Sequence, residues 1–211
     1  MDAQAYIVDK YKLDLTQRSP IEIPDTGRAT LAALFGELGY KVGAEIGTER
    51  GVYAEILCKA NPTAVLYCVD PWDVYSGYRD HQDRAEIYAC HEEALRRLEG
   101  YNATYIREYS MNAVSKFDDG GLDFVYIDAN HEWPYITQDI YYWARKVRPG
   151  GIVAGHDYIR SVKRDSKNHV MAAVNGYTFA FRISPWFLLG SKAKTPGMVR
   201  DECRSWFWVK K

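Results

Sequence analysis

Cysteine is scarce: four stand in 211 residues, and none forms a C-x-x-C pair. A disulfide framework is therefore not expected. Cys58, Cys68, Cys90 and Cys203 are expected as reduced residues in or near the core. Long apolar runs are missing too, and none approaches the roughly 20 residues that span a bilayer. Residues 1–12 mix Asp, Lys and Tyr and lack the apolar centre of a signal peptide. The expectation is a soluble, cytoplasmic protein without a membrane partner. Charge of one sign is also lacking. The chain has 27 Lys and Arg against 28 Asp and Glu, a formal net charge of -1. No global basic field exists to hold a polyanion, so a nucleic-acid partner is not expected.

What remains is ordinary globular composition, 47% apolar and 26% charged, in a length that suits one domain with one sizeable core. Residues 1–27 are polar, end in Pro20, Pro24 and Gly27, and read as a lead-in with at most one short helix. From Arg28 the pattern sharpens: Leu31, Leu34, Phe35 and Leu38 follow helical spacing up to Gly39. Apolar strands are then predicted at Val42–Ile46, Ala64–Val69, Ala103–Arg107, Leu122–Ile127 and Ile152–Gly155. Between them lie helices over Gly51–Ala60 and Asp80–Glu99, and a short one up to Phe117. A further helix is entered at Pro134, with Ile136, Ile140, Ala144 and Val147 on its buried face. Arg148-Pro149-Gly150-Gly151 is expected to end that helix. Such alternation indicates a doubly wound α/β domain with a mostly parallel sheet covered on both faces. In the tail, Val170–Gly176 reads as a helix. Trp186–Leu189 and Ser205–Val209 read as a terminal hairpin around a loop, Gly190–Asp201.

The first strand ends in Glu45-Ile46-Gly47-Thr48-Glu49-Arg50-Gly51 and runs into a helix. Ligands of doubly wound folds sit at such carboxyl strand ends. The spacing is E-x-G-x-x-x-G rather than the G-x-G-x-x-G of pyrophosphate sites, which argues against an NAD-linked oxidoreductase. A carboxylate beside the loop repels a pyrophosphate and attracts a cationic ligand. The second strand ends in Asp70, the position that holds a ribose hydroxyl pair. The bland alternative is that the glycines only shape a turn and Asp70 only caps a helix.

With these features in register, residues 40–158 resemble the class I S-adenosylmethionine-dependent methyltransferases. The group with D-x-x-H followed by R-P-G-G-x-x-x-x-H-D-Y is the most similar. Here those motifs are Asp128-Ala129-Asn130-His131 and Arg148-Pro149-Gly150-Gly151-Ile152-Val153-Ala154-Gly155-His156-Asp157-Tyr158. The resemblance implies a seven-stranded sheet whose last strand is antiparallel. It implies that Glu45, Gly47 and Gly51 contact the methionine part of S-adenosylmethionine and that Asp70 holds its ribose. Trp72 would flank the adenine, unless it only packs, and Ser110 would sit near the adenine edge. The domain runs over 1–211, with the cofactor core at 40–158 and the hairpin region at 159–211.

Asp128 ends the fourth strand and His156-Asp157 the fifth, so their side chains converge at the rim that carries the cofactor loop. A hard divalent cation prefers carboxylate oxygens, and Asp128, His156 and Asp157 are the candidate metal ligands, for Mg²⁺ or another divalent ion. The arrangement resembles magnesium-dependent O-methyltransferases acting on macrolide sugars. By that resemblance Asp128 and Asp157 bind metal and His131 is the base. His156 departs from it, standing where those enzymes tend to have an acid, and imidazole suits Mn²⁺, Fe²⁺ or Zn²⁺ better. The alternatives are that Asp128 meets only the cofactor's amino group, and that Asn130 or His131 caps the following helix.

Asp139 is expected as a structural polar contact, and His81, His91 and His169 as exposed. Arg160, Lys163, Arg164 and Lys167, against Asp165, form a basic segment that either overhangs the site or is solvated. The aromatics of Tyr75–Tyr78 are placed to cover the rim. The sequence thus predicts methyl transfer to a small-molecule acceptor, a hydroxyl oxygen first. A metal-independent N- or O-methyltransferase and a non-catalytic S-adenosylmethionine-binding module stay as alternatives, and a homo-oligomer stays open.

Overall fold

A computed structural model of the chain describes residues 2–74, 83–160 and 167–211. The helices are α1 (Ala3–Tyr11), α2 (Arg28–Glu37), α3 (Val52–Ala60), α4 (Arg84–Arg97), α5 (Ser110–Ala113), α6 (Trp133–Lys146) and α7 (Val170–Ala180). The strands are β1 (Ile21–Ile23), β2 (Val42–Ile46), β3 (Val65–Val69), β4 (Ala103–Ile106), β5 (Leu122–Ile127), β6 (Val147–Gly155), β7 (Phe187–Leu189) and β8 (Trp206–Val209). They form one sheet in the order β1-β7-β8-β6-β5-β2-β3-β4. Neighbours are parallel except at β8, which runs antiparallel to both β6 and β7.

The doubly wound architecture and the antiparallel last strand are as predicted, but the sheet has eight strands rather than seven. The extra one is β1, paired with β7 in the register Ile21 to Phe187. Three residues between Pro20 and Pro24 are too few for alternation to show. The lead-in is thus part of the sheet as well as of α1. A second correction concerns Val147, which leaves the helix and opens β6 opposite Leu122. Arg148-Pro149-Gly150-Gly151 lies within that strand, across an irregular register. Proline at 149 pushes the residue before it out of helical conformation, and Val147 is already extended. The predicted helix Asp80–Glu99 is observed as α4, capped by the Asp83 side chain, which accepts from the Ala85 N–H at 2.8 Å. Residues 75–82, with Tyr75–Tyr78 and His81, lie outside the described residues.

Side chains alternate across β5. Phe124 and Tyr126 join the core under α1, α2 and α3, while Val125 and Ile127 join the core under α5, α6 and α7. This two-residue period explains why the strands read as unbroken apolar runs. Strand order reverses between β2 and β5: the chain winds from β2 out to β4, then returns to start β5 on the other side of β2. A crevice at the carboxyl ends of β2 and β5 follows from that topology.

The opposite rim is tied by Asp123 in β5. Its carboxylate accepts from the N–H groups of Lys41 (2.6 Å) and Val42 (2.9 Å) and from Arg148 Nε (2.6 Å). Burial works to raise its pKa, but these donors outweigh it and hold the group below the ordinary carboxylate value. Asp123→Ala strands the donors and should cost about 2–4 kcal/mol in denaturant unfolding. Because the folded-state pKa is depressed, that stabilisation is present above the unfolded aspartate pKa and is lost as pH falls through the folded one. The gap between wild type and variant should therefore close in acid.

Candidate active site

Backbone ladder bonds continue one residue past the strands. Gly47 N–H donates to Val69 O (2.8 Å), Asp128 N–H to Ile46 O (2.8 Å), Asp70 N–H to Ile106 O (3.2 Å) and His156 N–H to Ile127 O (3.0 Å). Each strand thereby delivers one of the predicted residues to the same rim. Gly47 has φ +91°, and a Cβ there would lie 2.1 Å from the Asp128 carbonyl oxygen. The crossing of the two main chains itself demands glycine. Gly51 starts α3 at φ +72°, with α4 packed close to it at Ala94.

Above this rim opens a cavity of about 670 Å³. Its walls include Glu45, Gly47, Asp70, Trp72, Ser110, Asp128 and His131, but not Gly51, His156 or Asp157. Glu45 is only 2% exposed, and its Oε2 has no hydrogen-bond partner. Burial, and then the Asp128 charge, push its pKa well above the carboxylate range. Asp70 accepts from the Glu49 N–H (2.9 Å) and the Trp72 N–H (2.8 Å), closing the loop rather than capping α4. Trp72 both lines the cavity and packs: its Nε1 donates to Glu49 O at 2.7 Å, and its ring lies 4.7 Å from that of His91. His91, expected to be exposed, is half-buried there, and burial lowers its pKa.

Ser110 is held from α6. Trp143 Nε1 donates to Ser110 Oγ at 2.7 Å, which leaves the hydroxyl proton to bond Asp139 Oδ1. Asp139 is the structural contact expected, and it also lines the cavity. Burial raises its pKa to about 7.

At the β5 and β6 ends the acids and imidazoles close into a cluster. His131 Nε2 lies 3.3 Å from Asp128 Oδ1 and 3.1 Å from Asp157 Oδ2. His156 Nδ1 stands farther off, 3.5 Å from Asp128 Oδ2 and 3.7 Å from Asp157 Oδ2. Among the described residues, Asp128, His131 and Asp157 are the trio with ligand-capable atoms all within 4.8 Å of one another. His131 therefore joins the predicted set more closely than His156 does. Burial works to raise the Asp157 pKa, but His156, His131 and Cys203 outweigh it and bring it to about 2. Burial opposes charge on His156, yet the two carboxylates raise its pKa on balance. Its Nε2 is buried without a partner. Asp157 adopts φ +58°, a left-handed conformation that costs a non-glycine residue about 1–3 kcal/mol.

Two contacts escaped the sequence reading. Burial, and then the neighbouring Asp157, raise the Cys203 thiol pKa to about 12, and the place beside Asp157 is visible only in the fold. His169, expected to be exposed, accepts the Trp133 N–H on Nδ1 at 3.0 Å and so satisfies the start of α6. Asn130, one of the two residues offered by the sequence for the start of that helix, accepts from the Glu132 N–H on Oδ1 at 2.9 Å just before it. In the basic segment, Lys167 pairs with Glu132 at 3.0 Å, whereas Lys163, Arg164 and Asp165 lie outside the described residues.

Over residues 44–158, more than half of its length, the chain matches the family described as Methyltransferase domain. It belongs to that family. No curated protein matches this methyltransferase. Its fold is shared with the O-methyltransferase TomG from Streptomyces achromogenes, solved with S-adenosylmethionine (SAM) and involved in tomaymycin synthesis. That pair is 18% identical at TM-score 0.61, covering 100% of this chain and 91% of the other. Cofactor-bound Rv0187 from MTB aligns at 18% identity and TM-score 0.62, covering 99% and 90%. An O-methyltransferase from Bacillus cereus, in complex with S-adenosylhomocysteine (SAH), aligns at 14% and 0.59, covering 99% and 87%. Among the described residues, no helix of the methyltransferase is long and apolar enough to cross a membrane.

The raised Asp139 pKa has a consequence for stability. With a folded pKa near 7 and an unfolded one near 4, the stability tied to the neutral carboxyl is full in acid and lost as pH rises through about 7. Asp139→Asn keeps the shape and the acceptor for Ser110 but does not ionise. Thermal melts should find the variant more stable than wild type at pH 8, by roughly 2–4 kcal/mol, and not so at pH 4.5.

Proposed function

We propose that this methyltransferase moves the methyl group of S-adenosylmethionine to a hydroxyl oxygen of a small molecule. The observation that carries the reading is the cavity over β2, β3 and β5, with a buried carboxyl at its floor that has one oxygen unpartnered, and the Asp128–His131–Asp157 cluster at its side. A surplus of acids suits a sulfonium cofactor that also carries an ammonium. In this reading Glu45 receives the ammonium and the Gly47 loop passes the methionine chain. Asp70 holds the ribose hydroxyls, and Trp72 and Ser110 border the adenine. TomG and the Bacillus cereus protein, which carry SAM and SAH, share this fold.

S-adenosylmethionine brings its methyl already activated, so the protein's work is alignment and removal of one proton. His131 takes the acceptor's hydroxyl proton, the oxygen forms a bond to the methyl carbon, and the carbon–sulfur bond breaks. The electron pair returns to sulfur, leaving a neutral thioether. The donor set also fits a divalent cation, since ligand atoms of an octahedral Mg²⁺ site stand about 3 Å apart. Asp128 and Asp157 would hold it with His156 beside them, and it would lower the pKa of the acceptor hydroxyl. A metal-free route has its own support: His131 Nε2 lies within 3.3 Å of both carboxylates, an arrangement that orients a base.

Calorimetry should show binding of S-adenosylmethionine and S-adenosylhomocysteine and none of NAD. The reverse pattern overturns the proposal. Asp70→Ala should weaken that binding by about 1–3 kcal/mol.

Once an acceptor is found, His131→Ala should lower turnover by roughly 10²–10⁴ with little change in cofactor affinity. Loss of turnover on chelation, restored by Mg²⁺ or Mn²⁺, assigns the metal route. Full turnover after exhaustive chelation assigns the metal-free one.

A further inference from the structure

Arg28, the first residue of α2, also lines the cavity, from outside the stretch that matches the family. Its main chain is pinned on two sides. The N–H donates to Asp201 Oδ2 at 2.6 Å, and the carbonyl accepts from the Tyr53 hydroxyl at 2.9 Å. Its side chain is treated differently. The guanidinium lies 5.5 Å from the centre of the Tyr53 ring and makes no hydrogen bond or ion pair with any described residue. A half-buried cation fixed over an aromatic face, with its donors unspent, is a ready anion site.

The nature of the anion follows from the neighbour. Glu45 lines the same cavity, fully buried, with Oε2 unpartnered, and a buried carboxyl in that state is costly until a donor meets it. Arg28 and Glu45 together offer one place for a carboxylate and one for an ammonium, which is the pattern of an α-amino acid.

We propose that Arg28 binds the α-carboxylate of the methionine end of the cofactor while Glu45 binds its ammonium, so that the two residues read the amino-acid end as a zwitterion. This assignment rests on the S-adenosylmethionine reading and extends it to a residue outside the family match. Arg28 then sets specificity for the amino-acid tail, separately from the groups that hold the nucleoside.

Two probes test it: S-adenosylhomocysteine, and 5′-methylthioadenosine, which lacks the amino-acid end. Wild type should bind the first more tightly. Arg28→Met should weaken S-adenosylhomocysteine by about 10- to 100-fold and leave 5′-methylthioadenosine unchanged, the difference expected of a charge-assisted pair. Arg28→Lys should recover part of the loss. The melting temperature of both variants should stay close to the wild-type value, because the guanidinium makes only its ring contact with Tyr53 among the described residues. Wild type binding S-adenosylhomocysteine while Arg28→Met binds it equally well overturns the assignment and leaves the cofactor reading standing. An equal loss for both probes overturns it as well, placing Arg28 at the nucleoside. Wild type binding neither probe overturns the cofactor reading and this assignment together.

Discussion

Where β2 and β5 end side by side, their main chains cross with no room for a side chain at Gly47, and the Asp128 N–H is bonded to Ile46. That contact decides the rest of the site. It sets Asp128 beside Glu45 at the floor of the cavity. The reversal of strand order at the same point sends the two following helices, α3 and α6, to opposite faces of the sheet, which opens the crevice between them. The β6 end is fixed to it in turn by the His156 N–H, so the acid–imidazole cluster is a product of strand register before it is a product of side-chain choice.

The price of that placement is visible in the polar groups. Glu45 is buried without a partner for one oxygen, and His156 Nε2 is in the same condition. Among the described residues, six besides glycine have positive φ, and Glu49, Trp72 and Asp157 of these belong to the site. Folding alone does not reward such an arrangement. The two buried cores, by contrast, hold apolar side chains on alternating faces and supply the stability that lets the rim stay strained.

How much of this was legible in the sequence follows from how local each feature is. The central strands announced themselves as apolar runs, and their last polar residues, Glu45, Asp70 and Asp128, marked the rim because strand ends in a parallel sheet share one edge. Features set by distant contacts left no such trace. β1 exists because Ile21–Ile23 finds β7, 166 positions along the chain from Ile21 to Phe187. His169 sits in a polar stretch, and only the fold shows that its imidazole completes α6. Cys203 looked like any near-core thiol until the fold set it against Asp157. Asp139 was an intermediate case: its place within a helical pattern marked it as a structural polar contact, but did not show that Ser110, itself held by Trp143, would bond it at a cavity wall.

β8 is the last strand in sequence yet lies inside the sheet, between β6 and β7. On the ribosome, the sheet therefore cannot grow outward strand by strand. The β6 edge is exposed from the time Gly155 is made until Trp206–Val209 appears, and β1 with β7 has nothing to dock on in that interval. An open, apolar strand edge is a template for pairing with another nascent chain. Asp201, which fixes α2, is translated 173 residues after Arg28. The chain thus carries an open strand edge through the synthesis of about fifty residues, although every residue that lines the cavity has been made before then.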